Sequence, residues 1–375
     1  MESVAIEPQS IEFEKNDLNS FFEVPFKIYP DFPHISYLKS DLERFFSLKN
    51  PLFRSKNDFA YYTALCGGQI VGRILCHIHH ASNEQYKVKR AYFGYFDCIN
   101  DISVAKALLT KAEDFGRSRG CDELAGNFNM TAMQAIGVVT KIHRRHHYTD
   151  QVFSPEYIAD LLKKCGYEAF FPMVTHETDI QNFNAEGLLG EKQKEILNNP
   201  DFSLEELHKV NLEDIIEAMR ICLNKGFSDN PMFVPLVRDE IYFQAKDMML
   251  ILDRYISIIA KYKGQPVGTI VCIPNLNPLL KDIKSRFGLS TLYYFIKHKM
   301  KRHSAIIIYY SVFKEFHSQG LNGVMLYKVM TALKKRGYKT LGGTWISTDN
   351  KPSIRQAEKV GAQIMHELCL FKKTL

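Results

Sequence analysis

Apolar and polar positions change period often along this chain, and the changes come in the same order twice. Phe59 to Leu65 and Tyr255 to Tyr262 are rich in β-branched and aromatic residues, and each is followed by a Gly-Gln pair and a second apolar run. Gly68-Gln69-Ile70-Val71-Gly72-Arg73-Ile74-Leu75-Cys76 and Gly264-Gln265-Pro266-Val267-Gly268-Thr269-Ile270-Val271-Cys272 share the pattern GQxVGxIxC at an offset of 196 residues. Each reads as a hairpin turning at Gly-Gln. Other landmarks agree. Arg119-Gly120 ahead of Leu124-Ala125-Gly126 answers to Arg336-Gly337 ahead of Leu341-Gly342-Gly343, at offset 217. Lys164-Cys165-Gly166 answers to Lys359-Val360-Gly361 at offset 195. Asn16 capping a helix over Asp17 to Phe26 answers to Asn211 capping Leu212 to Asn224, again at 195.

The pattern predicts β, α, α, β-hairpin, strand, helix, strand, helix, strand, twice over. That is an α/β fold (a mixed α+β sheet) in two tandem domains, 1–180 and 201–375. A linker joins them at 181–200, and its charged middle, Glu186 to Leu197, reads as a surface helix. The changing offset places an insertion near 276–303 in the second copy and a compensating one near 130–152 in the first. In the second copy a strand over Ser304 to Phe313 runs through a Gly-bearing turn into a helix over Val324 to Lys335, with Val324, Leu326, Tyr327, Met330 and Leu333 on one face. A glycine turn that opens a helix offers free backbone N–H groups at the positive dipole end, which suits an anionic phosphate.

Composition narrows the field. The 375 residues are 46% apolar and 24% charged, with 21 Gly and 14 Pro, which excludes disordered, collagen-like and low-complexity classes. The longest apolar run, Ala305 to Phe313, is too short for a membrane span. The first residues, Met1 to Pro8, lack the apolar core of a signal peptide, and eight cysteines without a CxxC pair fit a reducing cytoplasm. The net charge of +6 conceals an asymmetry. Residues 1–250 carry 27 Lys and Arg against 36 Asp and Glu, whereas residues 251–375 carry 21 against 6. A positive field of that density attracts a polyanion, whether nucleic acid, an acidic surface or a phosphorylated small molecule.

The strand–turn–helix at 304–335 resembles motif A of the GNAT N-acetyltransferase superfamily, Q/R-x-x-G-x-G/A, written here as His317-Ser318-Gln319-Gly320-Leu321-Asn322 with Gly323 next. Leu341 to Ser347, Asn350-Lys351-Pro352-Ser353, a helix to Gly361 and a last strand over Ile364 to Phe371 resemble motif B. The doubled layout resembles bacterial tandem-GNAT proteins over nearly the whole chain. The resemblance implies acetyl-CoA or another acyl-CoA as co-substrate and an amine acceptor, small molecule or peptide. It places the pyrophosphate on the amides of His317, Ser318, Gln319, Gly320, Leu321, Asn322 and Gly323. The pantetheine arm would pair with backbone at Tyr310, Val312 and Phe313, between this strand and the next, with Asn350 and Ser353 from motif B nearby. Lys314, Lys351 and Arg355 are candidate phosphate partners. The chain departs from the pattern at His317, at Asn322 and at Ala357, where many members carry a Tyr acid. Copy one reads Asp101-Ile102-Ser103-Val104-Ala105 at the turn, with an acid and no Gly, so it reads as a structural partner.

Acyl transfer to an amine needs a proton acceptor and an acid for the leaving thiolate. Asp239, Glu240 and Asp349 are candidate bases, and Tyr309 or Tyr310 a candidate acid. The excess of acid over base in residues 201–250 points to a cationic acceptor. The His77, His79, His80 group and the His143-to-His147 run lack further ligands at metal spacing, so no metal is expected. The basic-aromatic tract 281–302 reads as a lid near the CoA cleft. No membrane partner is expected, and nucleic acid is disfavoured. Two other readings stand beside the acyltransferase: a Fem-like aminoacyl transferase using charged tRNA, and a non-catalytic tandem fold that binds CoA or a partner.

Overall fold

The computed structural model describes residues 10–301 and 303–375, with backbone alone for 246–250. Met1 to Pro8 and Arg302 therefore lie outside the described residues. In the first copy β1 (Ile11–Lys15), α1 (Leu18–Ile28), α2 (Lys39–Phe45), β2 (Phe59–Cys66), β3 (Gln69–Ile78), α3 (His80–Tyr86), β4 (Arg90–Cys98), α4 (Ile102–Arg117), β5 (Glu123–Gly126), β6 (Val138–Ile142), α5 (Tyr157–Lys164) and β7 (Glu168–Asp179) follow in order. A linker carries α6 (Glu191–Asn198). The second copy runs β8 (Phe202–Glu206), α7 (Leu212–Gly226), α8 (Arg238–Ile251), β9 (Ile258–Tyr262), β10 (Gln265–Pro274), α9 (Asn277–Asp282), α10 (Thr291–Lys301), β11 (Ser304–Val312), α11 (Leu321–Lys335), β12 (Thr340–Ser347), α12 (Lys351–Lys359) and β13 (Gln363–Thr374).

The repeat is plain in this order, with β6 added in the first copy's insertion and α9–α10 in the second's. Both GQxVGxIxC segments are second strands of hairpins. The turns, Gly67-Gly68 and Lys263-Gly264, have φ of 56° and 75°, and 50° and 79°. Two successive positive φ values give the I′ geometry that matches strand twist. Asn211 caps α7 by accepting from the Asp214 N–H at 2.9 Å. At the first copy the cap is Asp17 rather than Asn16: its Oδ1 accepts from the Asn19 N–H at 2.8 Å. Asn16 instead sits at φ 58° and its Oδ1 accepts from the Tyr61 N–H at 3.0 Å, tying α1 to β2.

One mixed sheet runs through the whole chain in the order β1-β2-β3-β4-β5-β13-β7-β12-β11-β10-β9-β8, with β6 also on β13. The centre of this order is an exchange. The last strand of the first copy, β7, pairs antiparallel with β12 of the second (Thr340 opposite Asp179, Ser347 opposite Met173). The last strand of the second copy, β13, pairs with β5 of the first (Phe371 opposite Gly126). The two exchanged strands also pair with each other. Phe371, four residues from the end of the sequence, is fully buried in the same apolar cluster as Ile74, Phe93 and Leu108 of the first copy. Substituting Phe371→Ala should therefore cost about 3–5 kcal/mol. Calorimetry should show the loss, and hydrogen exchange should quicken in β4 and α4, far away in sequence, before it quickens in α11.

Candidate functional site

β11 and β12 begin as a parallel pair, but only Ser304 to Ile307 are in register with Thr340 to Gly343. Beyond that the strands part. At the fork the register of β11 on β10 slips by one residue, from Tyr309 opposite Val271 to Ile307 opposite Cys272, so Ile308 is a bulge. On the other side β12 keeps pairing with β7, and residues 343–348 are half-buried along the opening. A side chain at Gly343 would meet nothing within 4 Å. The Phe313 N–H donates to the Val267 carbonyl at 2.9 Å, so it faces β10 and is taken. By strand alternation Tyr310 and Val312 turn their backbone groups towards the opening, where the Val312 carbonyl is met by the His317 ring at 3.0 Å. Of the three strand residues expected to pair with a pantetheine arm, two face the gap and Phe313 does not.

The turn after β11 holds Ser318 at φ 64° and Gly320 at φ 105°, and Gly320 stands at the N-cap of α11 without any side-chain cap. Asp17, Asp101, Asn211 and Asn350 cap their helices with side-chain oxygens. The first-turn amides of α11 are thus left for another acceptor. The turn bends where only glycine fits without strain. A Cβ at Gly320 would lie 3.1 Å from atoms of Lys192 and Gln193 in α6. The linker helix rests on this turn, with Lys192 Nζ donating to the Ser318 carbonyl at 3.1 Å. His317, Ser318 and Gln319 are exposed, Leu321 is buried, and Asn322 accepts from the Tyr310 hydroxyl through its carbonyl at 3.1 Å. Lys314 is held by Asp229, while Lys351 and Arg355 are exposed on α12. The Asn350 side chain accepts from the Ser353 N–H at 3.1 Å, so both residues are engaged in the cap of α12.

The first copy has the same fork and the same helix start, and its own side chains fill both. Arg90 to Phe93 pair with Glu123 to Gly126, and then the strands part. Asn127 accepts from the Phe96 N–H at 3.1 Å and Asn129 from the Tyr95 N–H at 2.7 Å. The chain lies so close that a Cβ at Gly94 would be 1.9 Å from the Phe128 carbonyl oxygen. At the start of α4 the Asp101 carboxylate takes the Ser103 N–H at 2.7 Å. The N–H groups of Tyr95, Phe96 and Ser103 are thereby taken, and the cavity beside this fork is lined by Arg73, Asp97, Asn127 and Asn129.

The second fork is roofed by the first copy's insertion. The ring of Tyr148 covers Gly342, where a Cβ would be 2.7 Å from it, and its hydroxyl donates to Glu177 Oε2 at 2.6 Å. Gln151 Nε2 donates to the Gly343 carbonyl at 2.7 Å. Between them lies Asp150, at φ 66°, whose charge is felt by Tyr309 of β11 and by Tyr37 and Tyr95 of the first copy. Burial pushes the Asp150 carboxyl up to about 7. The Tyr309 phenol is raised, mainly by burial and then by Asp150. Tyr309 also touches the apolar cluster of Met133, Leu236 and Ile241. Beside that cluster a cleft opens between the copies, lined by Phe45, Leu52, Met130, Met133, Phe233 and, on α8, Glu240. Burial raises Glu240, offset in part by the Val237 N–H, which donates to it at 3.1 Å. Asp349 lies apart, in the exposed turn after β12.

His77 and His79 serve packing, whereas the exposed His143 and His146 bond Glu367 and Glu177, each at 2.8 Å. His77 and His79 are buried and held down to about 3 and 4 by burial, and His77 stacks on Tyr92 at 5.4 Å. Among the described residues no set of three or more His, Cys, Asp or Glu could hold a metal. The basic tract does not cover the turn after β11: Tyr294 of α10 packs on Leu276, Leu279, Leu280 and Ile283 with Ile35 and Leu38.

Residues 213–362 match the model of the acetyltransferase (GNAT) family. The match lies within the second copy. The full length is similar to Protein YghO of Escherichia coli (strain K12), 24% identical over 96% of this chain and 94% of that protein. It is also similar to a protein named bacterial ceramide synthase from Caulobacter vibrioides, 23% identical over 87% and 86%. Its fold matches the tandem GNAT protein of the clavulanic acid biosynthesis pathway, with a TM-score of 0.59, 11% identity and coverage of 97% and 98%. The chain has the tandem GNAT fold, and the GNAT family transfers acyl groups from acyl-CoA to amines. Among the described residues no helix is long and apolar enough to cross a membrane.

Nothing in the sequence marks Asp150 or Lys192 as a neighbour of the fork or the turn. Both lie outside the matched motifs, one in the first copy's insertion and one in the linker, and only tertiary packing brings them to the fork and the turn. A carboxyl raised in the folded state adds stability that is complete at acid pH and is lost as pH rises through its folded value, here about 7. The melting temperature of the wild type should therefore fall between pH 4 and 7 relative to Asp150→Asn. Parallel curves for the two proteins would show that Asp150 is ionised in the fold.

Proposed function

We propose that this protein transfers an acyl group from acyl-CoA to the amine of an acceptor that carries an apolar body. The observation that carries the reading is the asymmetry between two equivalent sites. One fork and helix start have backbone N–H groups taken by Asn127, Asn129 and Asp101, while at the other α11 starts without a side-chain cap. Acyl-CoA brings the activated thioester. The amides from Gly320 to Gly323, the helix dipole and Lys192 hold its pyrophosphate, and Tyr310 and Val312 hold the arm. The basic surplus of residues 251–375 favours such a polyanionic donor.

On the other side of the fork, Asp150 takes the proton that the ammonium group must lose, because a carboxyl near 7 is half in its basic form at neutral pH. Glu240, raised but bonded to the Val237 amide, holds the cationic end of the acceptor in the cleft. Tyr309, next to the bulge and within the field of Asp150, returns a proton to the leaving thiolate. The Phe- and Met-lined walls suit a long apolar chain on the acceptor. The relative named as a ceramide synthase supports the same direction, since a ceramide is the amide of a long-chain amino alcohol.

Two measurements test this. Gly320→Val, which puts a Cβ against Lys192 and Gln193 and a β-branched residue at φ 105°, should weaken CoA binding in calorimetric titration by about 10- to 100-fold. Ser103→Ala at the equivalent first-copy turn should leave it unchanged. Asp150→Asn should lower kcat by roughly 10²–10⁴ and remove the acid limb near pH 7 from the kcat/KM profile for a long-chain amine. Retention of that limb would assign the proton to another group.

A further inference from the structure

The second copy's insertion contains a helix that the fold holds by one side only. Tyr294 and His298, one turn apart on α10, face the protein, Tyr294 on the α9 cluster and His298 Nε2 on the Asn275 carbonyl at 2.8 Å. No residue of α10 is buried. On the outer face Leu292, Tyr293, Ile296 and Met300 follow the i, i+1, i+4, i+8 spacing of a single stripe. They are 69%, 66%, 50% and 79% exposed, and Leu289 just ahead of the helix continues the line. Lys297 and Lys299 flank the stripe on its two sides by the same helical spacing. Lys297 pairs with Asp282, whereas Lys281, Lys284, Lys299 and Lys301 have no acid within ion-pair distance among the described residues.

We infer that α10 and the turn before it dock this protein on the surface of an anionic lipid bilayer, lying in the interface with the Leu292–Met300 stripe in the acyl boundary and the lysines among the head groups. A stripe of aliphatic side chains leaves water only for another apolar phase, and a border of lysines on both flanks is complementary to a plane of negative charge. The flanks argue against a second copy of this chain, because a two-fold pairing of the stripe brings Lys297 and Lys299 against lysines. They argue against nucleic acid too: leucine, isoleucine and methionine offer no aromatic face for bases, and only Tyr293 of the stripe could stack. The expectation that no membrane takes part is thereby replaced by surface docking, with no span required. The inference rests on α10 alone and stands whatever acceptor the cleft takes.

The test is sedimentation of the full chain with phosphatidylcholine vesicles, with and without phosphatidylglycerol. The wild type should partition onto the anionic vesicles and be released by salt. Leu292→Glu with Ile296→Glu should lower that partition by about tenfold or more, and Lys299→Glu with Lys301→Glu should remove the preference for anionic lipid. Both variants should keep the wild-type melting temperature and acyl-CoA titration, because neither pair reaches the core or the turn, so a failure on vesicles leaves the acyltransferase reading standing. No partition of the wild type onto anionic vesicles would overturn the inference, as would equal partition of the stripe variant. A fall in solution mass with the stripe variant would assign the face to a second copy, and stripe-dependent binding of tRNA would assign it to RNA; either result overturns it.

Discussion

The exchange of last strands between the two copies is the constraint on which the rest of the molecule depends. In each copy the strand after the fork, β5 or β12, has one edge that its own final strand does not cover. β13 covers the first and β7 the second, and the two also pair with each other. Sheet edges left open in this way are costly and prone to wrong pairings. The copies are therefore joined by ladders of backbone hydrogen bonds through the centre of one sheet, a more rigid tie than a linker and a packed interface. That rigidity sets side chains of one copy against the fork of the other. Tyr148 bonds Glu177 on β7 and Thr340 on β12 with one hydroxyl, and so fixes the turn that carries Asp150 over the fork.

The asymmetry is one of side chains and not of fold. Both copies contain a parallel strand pair that parts after four residues and a helix that starts beside the gap. In the first copy Asn127, Asn129 and Asp101 take backbone donors beside the gap with no change of fold. The first copy's insertion is then free to become the roof of the second site. The acidic and basic halves of the sequence follow the same division, with the positive charge on the half that keeps its amides open.

Much of the fold could be read from the sequence because its signals are local. Paired positive-φ residues at Gly67-Gly68 and Lys263-Gly264, a capping Asn211, a Gly at the start of α11 and a capping acid at Asp101 each act within a few residues. The strand exchange is not local. β7 and β13 carry the same alternation whichever neighbour they pair with, and no residue within them names the partner. The site divides along the same line. The glycine turn into α11 lies in one stretch of chain and its shape is legible there, whereas strand alternation sends the Phe313 N–H to Val267 and away from the gap. Asp150 sits in a turn whose sequence, Tyr148-Thr149-Asp150-Gln151, has no feature that marks it; burial raises its carboxyl, and the tyrosines that feel its charge come from distant segments. The basic tract read as a lid because its charge was visible and its anchoring residues, Tyr294 and His298, were not distinguishable from their neighbours.

The most direct measure of the central claim is hydrogen exchange of the whole chain with and without acetyl-CoA. The account predicts slower exchange in the amides of residues 308–323 when the thioester is present, with residues 93–104 of the first copy unchanged. Equal protection in the two copies, or protection confined to 93–104, would contradict it.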